Sequence, residues 1–175
     1  DFVNQPYELV EIEEFDSPGV LSVLLRRKGG LWRREGQLPI ETSKRFTFYR
    51  NQARLEVGYE ITHQGAAETR LWFGVELNLT LLSGKDPQRH FLFPGLKVED
   101  RRLCSTGAIP EVEHIRLRDE SEGFELSLDL SPKGQLWRFP LETVSQSESG
   151  LQKTYQGTVL LLHWPFSLKP TEKKT

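Results

Sequence analysis

Four histidines, one cysteine and 25 carboxylates are the side chains of this 175-residue chain that offer acid–base, nucleophilic or metal chemistry. His63, His90, His114 and His163 stand in four separate contexts, with no HExxH and no close His pair. Cys104 is alone, so it can neither close an internal disulfide nor join a Cys-rich zinc site. No metal and no cofactor is expected on these residues. There is no GxSxG elbow, no GxxxxGK[ST] loop and no GxGxxG; Lys28-Gly29-Gly30 joins strand-like segments and lacks the helix a phosphate cradle needs. Two carboxylates across a sugar bond are the machinery of glycoside hydrolysis. Glu56, Glu60 and Glu76 are the best placed here. At about 3.3 Å per strand residue, Glu56 and Glu60 fall about 13 Å apart, too far for a catalytic pair. A solvated sheet face accounts for all three, and no catalytic residue is assigned.

Aromatic residues offer binding chemistry instead. Trp72 shares the polar side of its segment with Gly74, Glu76 and Asn78. An indole ring can stack on the C–H face of a sugar while Glu and Asn bond its hydroxyls, and a Gly leaves room for close approach. Trp72, Glu76 and Asn78 are therefore the candidate carbohydrate-binding residues. The competing reading carries more weight: Trp72 is covered, and Glu76 and Asn78 tie neighbouring strands together, since buried polar groups are commonly paired within the protein. Trp137, with Phe139 in register, reads as core. Trp32 and Trp164 read either way.

These residues need strands to position them. Leu71 to Leu82 alternates with period 2, placing Leu71, Phe73, Val75, Leu77, Leu79 and Leu81 on one face. Leu55 to Thr62 repeats the pattern, and HQGAAETR between them predicts an antiparallel hairpin. Phe124 to Leu130 alternates again. Tyr7–Phe15, Val20–Arg27, Arg45–Arg50, Val112–Arg118, Gln135–Val144 and Leu151–Trp164 are further strands. Turns are expected at DSPG, at Lys28–Gly30, at Ser83–Pro87 and at Ser131–Gly134. The stretch from Gly84 to Pro110 reads as a surface excursion. No window carries a helical stripe. The pattern predicts an all-β antiparallel sandwich of about nine to twelve strands. Residues 1–168 form its single domain, and 169–175 a flexible tail or linker.

Composition narrows the partners. Hydrophobic residues make up 37% and charged residues 27%, as in a soluble globular chain. The net charge of −2 offers no field for nucleic acid. The longest apolar run, Val159 to Leu162, is four residues, so no membrane span is expected. A single Cys fits a reducing compartment, and the expected localisation is cytoplasmic. The chain begins at Asp1, contains no Met, and opens on DFVNQPYELV, which has no signal-peptide pattern. It reads as a domain cut from something longer.

The string LWFGVELNLTLLSG, with WRFPLETVSQSESGLQKTYQGTVLLLHWPFSL further on, resembles the C-terminal β-sandwich of glycoside hydrolase family 57. That family contains α-amylases and 4-α-glucanotransferases acting on α-1,4-glucans. The matching motifs are Phe73–Asn78, Trp137–Pro140, Thr143–Glu148 and Tyr155–Gly157. The resemblance implies a large antiparallel β-sandwich like the mutarotase-like supersandwich. It also implies that the nucleophile Glu and acid Asp lie in an N-terminal (β/α)7 barrel that this chain does not contain. The expectation is a non-catalytic domain of an α-amylase or 4-α-glucanotransferase, packed on the catalytic barrel of the same polypeptide. Direct contact with α-glucan is left open, and the alternative is a freestanding carbohydrate-binding module. Because they coincide with the family strings, Trp137, Ser145, Ser147 and Glu148 are expected in an ordered structural loop or domain interface.

Overall fold

The computed structural model describes residues 6–16, 19–34, 36–147 and 150–175. Its ten strands are β1 (Glu8–Phe15), β2 (Val20–Arg33), β3 (Gly36–Tyr49), β4 (Leu55–His63), β5 (Thr69–Leu79), β6 (Arg89–Leu92), β7 (Gly107–Asp119), β8 (Phe124–Ser147), β9 (Gly150–Leu168) and β10 (Lys173–Lys174). No helix occurs among the described residues. The strands form two five-stranded sheets, ordered β1-β2-β3-β4-β10 and β5-β9-β8-β7-β6. This is the all-β antiparallel architecture expected of a large β-sandwich. The chain divides into two compact units, residues 1–71 with 166–175, and residues 72–165.

In the first unit β2 and β3 form a hairpin paired from Val20↔Tyr49 to Arg33↔Gly36. Lys28–Gly30, expected as a turn, lies inside β2, opposite Pro39–Glu41. The reversal comes later, next to Gly36, whose φ of 127° an L side chain rarely adopts. Alternation then sorts the sheet. Leu21, Phe48 and Leu55 face one side in register, as do Val23, Phe46 and Val57. Arg26, Glu41 and Arg45 face the other, where Arg45 pairs with Glu11 and Glu13. The apolar side is buried at Ile40 and Ile61 and open at Leu21, Phe48, Leu55 and Val57. His63, fully buried, accepts from the Gly65 N–H and donates through Nε2 to the Ala67 carbonyl. It fixes the turn that follows β4. Residues 173–174 pair with Thr62 and Ile61 of β4.

In the second unit the core gathers Leu136, Leu160 and Leu162 with Phe91, Phe93 and Leu103. The last three come from the segment expected as a surface excursion, and Phe91 and Leu103 are fully buried. Arg138 holds that segment down: its guanidinium donates to Ser105 Oγ and to the Asp100 carbonyl, and lies over the Phe93 ring. Phe124–Leu130 and Gln135–Val144 are one strand, β8, which runs through Ser131–Gly134 without turning. The β7–β8 ladder pairs Val112 with Gly134 and His114 with Asp129, so the four β8 residues from Leu130 to Lys133 bulge out opposite Glu113 alone.

The predicted hairpin between β4 and β5 does not form. β4 pairs with β3 and β10, and β5 lies beside β9. Glu56 and Glu60 therefore belong to one sheet and Glu76 to the other. The apolar run of β9 supplies β5 with a neighbour far away in sequence, which a local turn signal cannot announce. The alternation itself holds: Leu71 is buried, Phe73, Val75, Leu77 and Leu79 are half-buried, and the even residues of β5 are exposed.

Candidate functional site

On one face of the second sheet β5 and β8 carry exposed side chains, and between them the β9 residues Val159 and His163 are buried. The β8–β9 register pairs Trp137 with Leu161, Gln135 with His163, and Phe139 with Val159. Gly74 of β5 sits against the same row. A Cβ there would meet Leu161 Cδ1 at 3.3 Å and lie 4.0 Å from His163 Cβ. The space that Gly74 leaves is thus taken by Leu161 and is not a gap for a ligand.

Trp72 and Trp137 are brought together on this face. Their rings lie 5.3 Å apart, tilted by 55°, and the residues are 54% and 44% exposed. His163, 1% exposed, lies against both, with centroid distances of 4.8 and 4.7 Å and an edge-on angle of 65° to each. The Trp72 indole donates from Nε1 to His163 Nδ1 at 2.9 Å. Nδ1 is thus the acceptor, which places the proton of the neutral ring on Nε2. That Nε2 is buried and has no partner. Burial pushes the His163 pKa below its ordinary value, so the neutral form is favoured.

Of the expected binding residues, Trp72 is half-exposed, and Glu76 and Asn78 are exposed and joined to each other by a 3.0 Å bond from Asn78 Nδ2 to Glu76 Oε1. Trp137, read as core, stands half-exposed with Phe139 and Leu141 along β8. Its packing with Trp72 and His163 is not legible in the sequence, because a surface formed by three strands cannot be seen from one. The available signal was the period of β9, which puts His163 in line with Leu161. Ser145 and Ser147 lie in the last turn-ward residues of β8, opposite Gln152 and Gly150. Glu148 lies outside the described residues.

The string Tyr155–Gly157 makes internal packing contacts. The Tyr155 phenol bonds Thr158 Oγ1, which itself donates to the Leu103 carbonyl at 2.6 Å. Gly157 brings β9 against the backbone of Leu79. Among the described residues no group of three or more His, Cys, Asp or Glu is arranged to hold a metal ion. The face offers two indole surfaces with a neutral imidazole beneath them, the half-exposed Phe139 and Leu141 next along β8, and a carboxylate–amide pair on β5.

Comparison with known proteins agrees with this architecture. Residues 1–174 match the family described as alpha-amylase/4-alpha-glucanotransferase, C-terminal. The chain is 34% identical over 121 residues to alpha-amylase 1 of Dictyoglomus thermophilum, covering 69% of this chain and 17% of that protein. It is 26% identical over 167 residues to the 4-alpha-glucanotransferase of Thermococcus litoralis, covering 94% of this chain and 20% of that protein. The crystal structure of a 4-alpha-glucanotransferase from T. litoralis shares the fold, with a TM-score of 0.65 over 97% of this chain and 22% of that one. The chain thus spans about a fifth of the length of the curated relatives it matches. It belongs to the family of C-terminal domains of α-amylases and 4-α-glucanotransferases.

Proposed function

We propose that this chain is the non-catalytic C-terminal β-sandwich of an enzyme acting on α-1,4-glucan, that it packs on the catalytic barrel of the same polypeptide, and that it contacts glucan itself. One observation carries the reading. The apolar side of the first sheet is open at Leu21, Phe48, Leu55 and Val57. Contiguous exposed apolar surface marks an interaction site. A partner on the same polypeptide would keep it covered, and the relatives have about four-fifths of their length outside the match.

The test combines this chain with the catalytic part of its parent in trans. The chain alone turns over no maltooligosaccharide, and adding it raises the melting temperature of the catalytic part. Turnover by the chain alone that disappears on replacing one of its carboxylates overturns the reading. The exposed tryptophan pair favours a second reading, a freestanding carbohydrate-binding module. In that case the chain binds glucan at full strength and leaves the catalytic part unchanged.

A further inference from the structure

We infer that Trp72 and Trp137, braced by His163, form a platform for an extended α-1,4-linked glucose chain on the face where β5 and β8 flank β9. The inference rests on the reading above for the identity of the sugar. Its geometry comes from this face alone.

Consider what the platform can offer. The single N–H of Trp72 is consumed by His163, so the exposed ring reads an apolar surface and no hydroxyl. Trp137 adds a second ring 5.3 Å away, tilted by 55°, so the pair is not a flat plate. Rings of this kind stack on the C–H faces of pyranoses. Hydroxyl recognition must come from elsewhere, and β5 supplies it. Glu76 lies four residues along the same strand face as Trp72, about 13 Å away by the strand rise. Its carboxylate accepts one bond from Asn78 and keeps its remaining lone pairs for a ligand. A ligand that uses both ends must span several sugar rings, so an oligosaccharide is selected over glucose.

The same pair argues against an apolar protein surface as the occupant. Docking such a surface over Glu76 would strip water from a carboxylate and return only the Asn78 bond, an unfavourable exchange. A polyhydroxyl chain keeps that charge hydrogen-bonded while covering the indoles. His163 acts as a positioning residue. It touches no solvent, fixes the Trp72 ring through Nδ1, and fills the space beneath both rings.

The experiment titrates the 175-residue chain with maltoheptaose, glucose and cellohexaose, reading affinity by calorimetry and the melting temperature of each variant. Maltoheptaose is expected to bind, with glucose much weaker and cellohexaose discriminated against. Trp72→Ala and Trp137→Ala each lose about tenfold or more in affinity. Trp137→Phe, which keeps a ring and the fold, loses less, and Glu76→Gln weakens maltoheptaose with no effect on melting. Maltoheptaose affinity unchanged in Trp137→Phe, Trp137→Ala and Glu76→Gln overturns the inference. So does protection of Trp72 and Trp137 from collisional quenchers in the full-length parent without sugar, which would mean protein covers the face. Either result removes the support for direct glucan contact and leaves the packing on the catalytic barrel standing. Turnover by the chain alone would sink the non-catalytic role and not the platform.

Discussion

A buried imidazole whose Nδ1 accepts from an indole has one compatible protonation state. Protonated His163 would turn its acceptor into a donor aimed at the Trp72 N–H, and its charge would sit in an aromatic pocket 1% exposed. Burial therefore holds the folded pKa below the ordinary imidazole value of 6.5, which applies to the unfolded chain. Between those two values the unfolded state binds the extra proton, so stability is full above pH 6.5 and declines as pH falls toward the folded pKa. The melting temperature of the chain should drop across that window. His163→Gln, which keeps an acceptor and cannot charge, should flatten the drop, and a profile unchanged in that variant would contradict the account. Asp119 titrates in a lower window. Burial alone would raise it, but bonds from Ser121, from Arg89 and from the Glu122 N–H prevail and bring it down to about 2. Being depressed, it contributes stability above its ordinary value of 3.8 that is lost as pH falls to about 2. Asp119→Asn should lower the melting temperature at pH 7 and shrink that acid loss, as followed by circular dichroism.

Strands divide into those that alternation alone reveals and those that need a partner to be seen. Leu71 to Leu79 and Leu55 to His63 were legible because one face of each is apolar and the other polar. Their neighbours were not, since β5 lies beside β9, some 80 residues on in the chain. Ser131–Gly134 carries every turn signal and is a bulge within a continuous strand, because β7 pairs with Asp129 before it and Gly134 at its end, and β9 takes up the pairing from Gln135. The segment 84–110 failed to read as core for the opposite reason: Phe91 stands in the four-residue β6, too short to show a period, and Phe93 and Leu103 come from irregular backbone, the segment being braced by Arg89 and Arg138. The candidate site was half legible. Trp72, Glu76 and Asn78 share one strand, but Trp137 and His163 reach them only through the sheet. Element packing also explains why Tyr155–Gly157 is a recognisable string. A Cβ at Gly157 would stand 2.8 Å from the Leu79 carbonyl oxygen, a backbone atom that cannot step aside. Gly157→Ala should therefore destabilise by about 1–3 kcal/mol in urea unfolding. Gly58, whose Cβ would meet open space, is the control: Gly58→Ala should be neutral or stabilising by about 0.4–1 kcal/mol. Equal effects at the two positions would refute the close-approach explanation.

At the scale of the whole molecule, two surfaces ask for partners of different chemistry. The open side of the first sheet is mainly aliphatic and aromatic, with Leu21, Phe48, Leu55 and Val57 contiguous in register, Glu14 beside Leu21 at its edge and Lys44 beyond Phe46. Such a face gains by losing water to another apolar surface. The open face of the second sheet mixes indoles with Glu76 and Asn78, and so suits a ligand that is apolar and hydroxylated at once. The two should separate under substitution. Phe48→Lys places a charge on the apolar side at a half-exposed position, so it should change the stability of the chain itself by no more than about 0.5 kcal/mol. It should abolish association with the catalytic part supplied in trans and leave maltoheptaose affinity untouched. Trp137→Phe should do the reverse, weakening maltoheptaose while association persists. Size-exclusion chromatography of the mixture and calorimetry of the sugar read the two effects independently. Should Phe48→Lys weaken sugar binding as much as it weakens association, the two faces serve one function, and the division of labour drawn between them is wrong.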